Sequence, residues 1–383
     1  MTKRGFAETE FEDRTNSAQK LMAEAGLGAL LLTTEPEVRY FTGYLTRFWE
    51  SPTRPWFLIV PASGKPVAVI PSIGAALMRE TWINDIRTWS SPDPKDDGIG
   101  LLTDTLDELT DNEGMIGVPD GHETHIRMPQ ADLERLRKTI GERELTSDHG
   151  IIRKLRMIKS TDEIAKIEHA CKIAGQAFAR VPEIAKPGTP MEQVFPHFQM
   201  LCLEEGADWV PYLAGGAGKG GYEDVISPAR NKELSNGDVL MLDTGLVWDG
   251  YFCDYDRNWS IGSSTTDTRK AHALLVEASD AAFEIARPNT TAAQLFQAMD
   301  KVLSQYSDGT NAGRLGHGIG MSLTEWPSLI PADNTILQPG MVLTLEPSTA
   351  VGDKMLVHEE NIVITENEPR YLSPRIGAEL PVL

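Results

Sequence analysis

Cysteine is scarce: Cys171, Cys202 and Cys253 are the only three in 383 residues, odd in number and far apart. They form neither a disulfide framework nor a zinc knuckle, and a reducing cytoplasm fits such usage best. Basic charge is also in deficit. The 36 Lys and Arg face 56 Asp and Glu, a formal charge of −20, so nucleic acid and anionic membrane surfaces are poor partners. That excess reads as a solvated acidic surface. No stretch approaches the roughly 18–20 apolar residues of a membrane span. The polar start, MTKRGFAETEFEDRT, lacks the apolar segment of a signal peptide. Repeats and low-complexity tracts are missing too, and no glycine-rich phosphate loop follows a strand, which leaves a nucleotide site little support.

What is present divides in two. Residues 14 to 27 read as an amphipathic helix ending at Gly26, followed by short apolar runs at 29–32, 56–60, 67–70 and 115–118. Helical stretches near 73–82, 98–112 and 129–140 separate these strands, the pattern of an α/β domain over residues 1–150. Beyond 150 the texture changes. Ser160-Thr161-Asp162-Glu163 is a capping box opening a helix to about Val181. Thr189-Pro190-Met191-Glu192 reads as another, with proline at the first helical position. A third helix is expected over 267–287, and Thr291 with Gln294 caps a fourth. Strand-like segments at 239–247, 251–260, 341–346 and 355–364 complete an α+β domain over 151–383, an antiparallel sheet with helices against it.

The chemistry concentrates in Met241 to Trp259, MLDTGLVWDGYFCDYDRNW. Asp249-Gly250 between two β-prone runs predicts a two-residue hairpin turn. Trp248 then faces Tyr251, Gly245 faces Asp254, and Asp243 faces Asp256. Side chains alternate along a strand, so Asp243, Asp254 and Asp256 share one face, with open space at Gly245. Several carboxylates on one apolar face are expensive without a cation among them.

A second hairpin repeats this logic. Gly352-Asp353 suits a turn with glycine first; pairing Val351 with Lys354 puts Glu346 opposite Glu359 and turns Glu360 away. A bulge in the intervening loop would exchange Glu359 and Glu360. His317 stands in the glycine-rich GRLGHGIG, where backbone approaches a site closely. Two aspartates, an imidazole and two glutamates suffice for two bridged divalent ions of manganese, cobalt, zinc or iron. In such sites a bridging water becomes a nucleophile near neutral pH, and Glu346 is placed to act as its general base. Alone, an Asp-Gly turn, a histidine between glycines or a glutamate pair is usually ordinary surface. Together on computed common faces they are not.

Asp243, Asp254 eleven residues on, His317 in GHGIG, Glu346 in LEP and Glu359 in EEN resemble the pita-bread metallopeptidases: methionine aminopeptidase, aminopeptidase P, prolidase and the metal-free creatinase. Arg257 falls where such enzymes carry an arginine after the second aspartate. GLGALLLTTEPEVRYFTGY is similar to the start of the creatinase/prolidase N-terminal domain. The resemblance covers nearly the whole chain. It implies an α/β creatinase-like N-terminal domain, a pita-bread catalytic domain, a dinuclear metal site with Glu346 and His317 as catalytic residues, a dipeptide or small-molecule substrate, and a homodimer.

Two departures bear on substrate. Prolidase-like enzymes carry a histidine in the loop before the first aspartate; here GGAGKGGYEDVISPARNKELSNGD has none. A second histidine normally follows the metal histidine by seven positions; here that position is Thr324. These histidines polarise the scissile carbonyl and stabilise the tetrahedral intermediate. Tyr222, Glu223, Asp224, Thr324 and Trp326 are the candidates to replace them, Trp326 as wall or as an aromatic face for a cation. Trp49 and Trp56 either reach a partner's site or pack a domain. Three functions follow: an Xaa-Pro dipeptidase or aminopeptidase P-like metallohydrolase; a small-solute lyase or hydrolase like dimethylsulfoniopropionate lyase, ectoine hydrolase or creatinase; and a non-catalytic binding protein.

Overall fold

Strands buried on both faces read in sequence as unbroken apolar runs instead of alternating ones, and the N-terminal sheet is built of them. In the computed structural model, which describes residues 2–50, 54–305 and 313–383, the chain divides into two units. One is Lys3–Arg156 and the other Met157–Leu383 with the first residues. The helix Ile151–Met157 straddles the division.

The first unit is one mixed sheet. Its strands are β1 (Leu27–Leu32), β2 (Phe57–Pro61), β3 (Val67–Pro71), β4 (Asp85–Trp89), β5 (Met115–Val118) and β6 (Glu144–Ser147), in the order β4-β3-β2-β1-β5-β6. The helices Ile99–Leu109 and Gln130–Thr139 add Leu102, Leu106 and Leu136 to the core of Leu31, Ile59, Val69 and Ile116. The sequence pattern misses β4 and β6 because they are edge strands with mostly exposed or half-buried side chains. The first helix, Glu8–Ala25, begins earlier than its apolar periodicity. A short helix, Glu35–Thr42, starts at a Thr34/Glu37 capping box. Trp56 is fully buried with Trp49 against it, ring centres 5.6 Å apart. Both tryptophans serve packing inside this unit.

The second unit carries the chemistry. Its first sheet is β7 (Trp209–Lys219), β8 (Asp238–Trp248), β9 (Tyr251–Phe252) and β10 (Tyr255–Ser260), ordered β10-β8-β7 with β9 also on β8. Strand β7 escapes sequence reading because its second half, LAGGAGK, is glycine-rich. The other strands are β11 (His317–Gly318), β12 (Glu325–Ser328), β13 (Val342–Leu345), β14 (Ser348–Val351), β15 (Lys354–Val357), β16 (Glu360–Val363) and β17 (Arg370–Tyr371). Five of them form a sheet in the order β12-β11-β13-β16-β17, and β14 and β15 pair separately.

Helices Thr161–Ala179 and Ala292–Leu303 open with the expected capping boxes, Ser160/Glu163 and Thr291/Gln294. The Thr189 cap is corrected: helix Met191–Glu204 has Pro190 at its N-cap. A β-bridge from Pro190 to Glu233 keeps that residue extended, and the Thr189 hydroxyl accepts from the Lys186 amide instead. The helix Thr266–Ile285 packs with Ala292–Leu303 around Leu275, Leu295 and Met299.

Both expected turns form. Asp249 and Gly250 have φ of +49° and +80°, the requirement for a type I′ turn, and Trp248 pairs with Tyr251. Asp243 pairs with Asp256. Instead of one strand over 251–260, the ladder breaks at Cys253-Asp254. In the second hairpin Val351 pairs with Lys354, Ser348 with Val357 and Leu345 with Glu360. That is one register without a bulge, so Glu346 lies opposite Glu359. The three cysteines are free and buried. Among the described residues no helix is long and apolar enough to cross a membrane.

Candidate metal centre

Five buried or nearly buried side chains converge in the second unit. Asp243 projects from the middle of β8, Asp254 from the break after β9, His317 from β11, Glu346 from the end of β13, and Glu359 from just before β16. One ligand atom each from Asp254, His317 and Glu359 lies within 4.8 Å of the other two. His317 Nε2 stands 3.4 Å from Asp254 Oδ2. Its Nδ1 is 2.8 Å from the Gly318 carbonyl, a partner that takes the Nδ1 proton and leaves Nε2 a lone pair for the site. Gly318 has to be glycine: a Cβ there would stand 2.0 Å from the Trp326 carbonyl oxygen.

The electrostatics show a set that needs positive charge. Burial, and then the charge of Glu346, push the Asp243 carboxyl up to about 7, against a hydrogen bond from Tyr212. Burial, and then neighbouring carboxylates led by Asp243, raise Asp254. Burial, and then Asp254, raise Glu359. Burial raises Glu346, opposed by Arg314. Burial, and then Arg314, lower the His317 imidazole to about 4. Asp243 Oδ1 and Glu359 Oε1 are buried with no hydrogen-bond partner in the protein. Mutually repelling carboxyls, orphaned acceptors and a neutral imidazole are unfavourable alone and suited to divalent cations. The donor set fits the group.

A hydrogen-bonded frame behind them links the two hairpins. Asp256 Oδ1 accepts the backbone amide of Glu359 at 2.6 Å and its Oδ2 the Asn258 amide at 2.9 Å. In return Asn361, on β16, accepts the Asp254 amide at 3.0 Å and donates to the Asp254 carbonyl. Each hairpin therefore grips the backbone of the other's acid. Arg257 donates to Glu360 at 3.0 Å and to three backbone carbonyls, so Asp256 does not pair with it through the side chain. Glu360 Oε2 is thereby committed, its Oε1 being buried without a hydrogen-bond partner, and it is Glu359 that lies with Asp254 and His317.

The expected pocket residues scatter. Tyr222 is 1 % exposed, with its hydroxyl donating to Asn258 and accepting from the Val357 amide; it braces the frame. Asp224 accepts the amides of Ile226 and Ser227, folding its own loop. Glu223 pairs with Lys354 on the surface. Trp326 is part of the apolar core, so it is wall and not an open aromatic face. Thr324 is half-buried and accepts a hydrogen bond from Arg314 at 3.3 Å. The open space at Gly245 is also corrected. A Cβ on Gly245 would stand 2.2 Å from Leu323 Cδ1 and 3.3 Å from the Tyr212 Cβ. Tyr212, Leu323 and Arg314 carry no sequence signal, because each acts from an irregular or glycine-rich stretch. Asn361 had one: the asparagine directly after two buried acids.

Residues 165–366 match the Metallopeptidase family M24, and residues 14–158 match the Creatinase/Prolidase N-terminal domain. This chain belongs to metallopeptidase family M24. The probable dipeptidase PepE of Mycobacterium tuberculosis is 28 % identical over 97 % of this chain and 98 % of its own. The Xaa-Pro dipeptidase of Pyrococcus horikoshii is 30 % identical over 64 % of this chain and 71 % of its own. The crystal structure of dipeptidase PepE from Mycobacterium ulcerans superposes with a TM-score of 0.84 at 27 % identity, covering 98 % of this chain and 99 % of that one. The fold is thus a creatinase-type N-terminal domain followed by the pita-bread domain of M24 metallopeptidases.

Proposed function

We propose that this metallopeptidase is an Xaa-Pro dipeptidase-like hydrolase, in which Asp243, Asp254, His317, Glu346 and Glu359 hold two divalent ions. The observation that carries the reading is the buried cluster of acids whose acceptors Asp243 Oδ1 and Glu359 Oε1 have no protein partner. Family M24 implies divalent metal. Bound there, the ions supply Lewis acidity and make a water molecule ionisable near neutral pH. Five donors match a pair of ions, and an oxygen-rich set with one imidazole suits manganese, cobalt, zinc or iron.

The chain's own residues do the rest. Glu346, its carboxyl raised by burial, takes a proton from the attacking water and returns it to the leaving nitrogen. Tyr212 hydrogen-bonds Asp243 and fixes its orientation. Asp256 and Asn361 hold the main chain of Glu359 and Asp254 in place. Relatives named dipeptidase and Xaa-Pro dipeptidase support a dipeptide substrate. We read the protein as a cytoplasmic homodimer.

A second reading, a lyase or hydrolase of a small solute, is favoured by Thr324, which stands where the resemblance to prolidase-like enzymes leads one to expect a histidine, and by Leu323, which narrows the space over Gly245. Metal analysis followed by a panel of Xaa-Pro dipeptides beside dimethylsulfoniopropionate, ectoine and creatine decides. About two ions per chain and Xaa-Pro turnover are expected. Turnover confined to a small solute sinks the dipeptidase reading. Metal-free protein in which Asp243→Ala changes nothing sinks both.

A further inference from the structure

Strand β7 is the outer edge of its sheet, with β8 on one side and no described strand on the other. An exposed edge has to be covered or blunted, and here residues 221–232 cover it by folding back over glycines. A Cβ on Gly216 would stand 2.7 Å from the Asp224 carbonyl oxygen, and one on Gly218 would run into that of Gly221. The covering segment is pinned at separate points. The Gly215 amide donates to the Val225 carbonyl at 3.2 Å, Lys232 Nζ to the Ala217 carbonyl at 2.8 Å, and the Met191 amide to the Lys232 carbonyl at 3.0 Å. Between these ties the strand, the segment and the start of helix Met191–Glu204 surround a cleft of about 450 Å³. That volume is within the range of small-molecule sites. None of the five side chains assigned to the metal ions lines it.

Two buried residues, Met191 and Phe195, give the cleft an apolar wall. Its charged lining is mainly cationic: Lys219, Arg230, Lys232 and Lys354. The acids among them have partners of their own. Glu223 pairs with Lys354. Asp224 accepts the Ile226 and Ser227 amides, both at 2.8 Å, and the buried Asp238 accepts the Ser235 amide at 2.9 Å. With Lys354 and Glu223 set against each other, Lys219, Arg230 and Lys232 outnumber Asp224 and Asp238. Lys219 and Arg230 are exposed, and Lys232 uses one of its N–H donors on Ala217. This local excess has the opposite sign to the chain as a whole, at −20, and a cleft lined by one sign of charge concentrates ions of the other.

We propose that this cleft is a second binding site, for a small organic anion. The ligand is a carboxylate or phosphate monoester whose head group meets Lys219, Arg230 and Lys232 and whose apolar body lies on Met191 and Phe195. A guanidinium fork takes either head group through two parallel hydrogen bonds, and the ammonium groups add charge without fixing orientation. The site does not depend on the reaction at the metal centre.

The test is calorimetric titration of full-length, metal-loaded protein with phenylacetate and phenyl phosphate, each beside an uncharged counterpart, phenylacetamide and phenol. At least one anion should saturate with a Kd of about 1 mM or tighter. Its uncharged counterpart should bind at least about tenfold more weakly, for want of charge-assisted hydrogen bonds. The double variant Lys219→Gln, Arg230→Gln should weaken the anion on the order of tenfold with metal content unchanged. Asp254→Ala, which strikes the metal centre, should leave the anion's affinity within about twofold, as expected for separate sites. If the double variant is insoluble, the uncharged counterparts carry the test. No saturable binding by either anion, equal binding by its counterpart, or wild-type affinity in the double variant overturns the proposal. So does loss of binding in Asp254→Ala, which would place the anion on the metal ions.

Discussion

The acid-bearing hairpins and the Gly320–Glu325 connection belong to one unit and are built on opposite rules. In the hairpins a ladder with a period of two places every acid: Asp243 opposite Asp256, and Leu345 opposite Glu360 with Glu346 and Glu359 one step further. In the connection no ladder runs. It is held by contacts of its own, among them the Ser322 amide on Glu325 and a buried ion pair between residues far apart in the chain, Lys159 and Glu325. The placing of the acids is therefore encoded locally, and the placing of Leu323, Thr324 and Arg314 is encoded in contacts that sequence order hides.

The largest effect should come from breaking the local half. Asp254→Ala removes one acid from the cluster and leaves its backbone clamp by Asn361 untouched. Losing several kcal/mol of charge stabilisation lowers turnover on the order of a thousandfold, with metal content falling below wild type. Unchanged metal content together with unchanged turnover would mean that the hairpins do not hold the ions.

Breaking the other half costs stability first. Lys159→Met removes one partner of a buried ion pair with Glu325, which is 2 % exposed, and breaking such a pair from one side costs roughly 3–5 kcal/mol. Chemical denaturation checks this. Lys159→Met with Glu325→Gln should recover most of the loss, since no charge is stranded. Metal content should hold in both, because no acid of the cluster moves. Loss of metal along with stability would show that the connection and the frame are not separable.

The pH dependence of the metal-stripped protein follows from the same cluster. A carboxyl raised on folding contributes stability that is fully present below its unfolded pKa, about 4, and lost as pH rises through the folded value. For Asp243 that value is about 7, and Asp254, Glu346 and Glu359 shift in the same direction. His317 and His272, lowered to about 4, run the other way. Their contribution is present above about 6.5 and lost as pH falls. Above pH ~6.5 only the carboxyl change remains. Calorimetric Tm of stripped protein should drop by several degrees between pH ~6.5 and ~8, and added divalent metal should flatten the curve. A flat curve without metal would contradict the repulsion inferred for the acids.

How much was legible follows the same division. Asp-Gly and Gly-Asp turns with period-two counting are enough to align Asp243 with Asp256 and Glu346 with Glu359. The counting works because neither hairpin carries a bulge. It misplaces the space at Gly245, since the atom that fills it comes from Leu323, on another segment. It cannot see Tyr212, because β7 advertises itself only as glycines. Tyr222, Asp224 and Trp326 stand out as unusual residues near a site, yet a phenol satisfied by Asn258 and an indole in the core are consequences of packing. Chemical type alone does not separate a pocket from its scaffold.

The smallest effect probes what sets the register. Gly250 has φ of +80°, a conformation that costs an L-side chain roughly 1–2 kcal/mol, so Gly250→Ala should lower Tm by a few degrees. A slip of one residue would turn Asp243 to the opposite face, but three features oppose it. Asp249 is tied by its amide to Asp208 at 2.6 Å and by its carboxylate to Lys166 at 2.5 Å. Strand β8 is also laddered on both sides, to β7 and to β10. The strain should therefore stay in the turn, with metal content and turnover at wild-type levels. If Gly250→Ala instead loses metal in proportion to stability, the turn sets the register and the two ladders merely follow it.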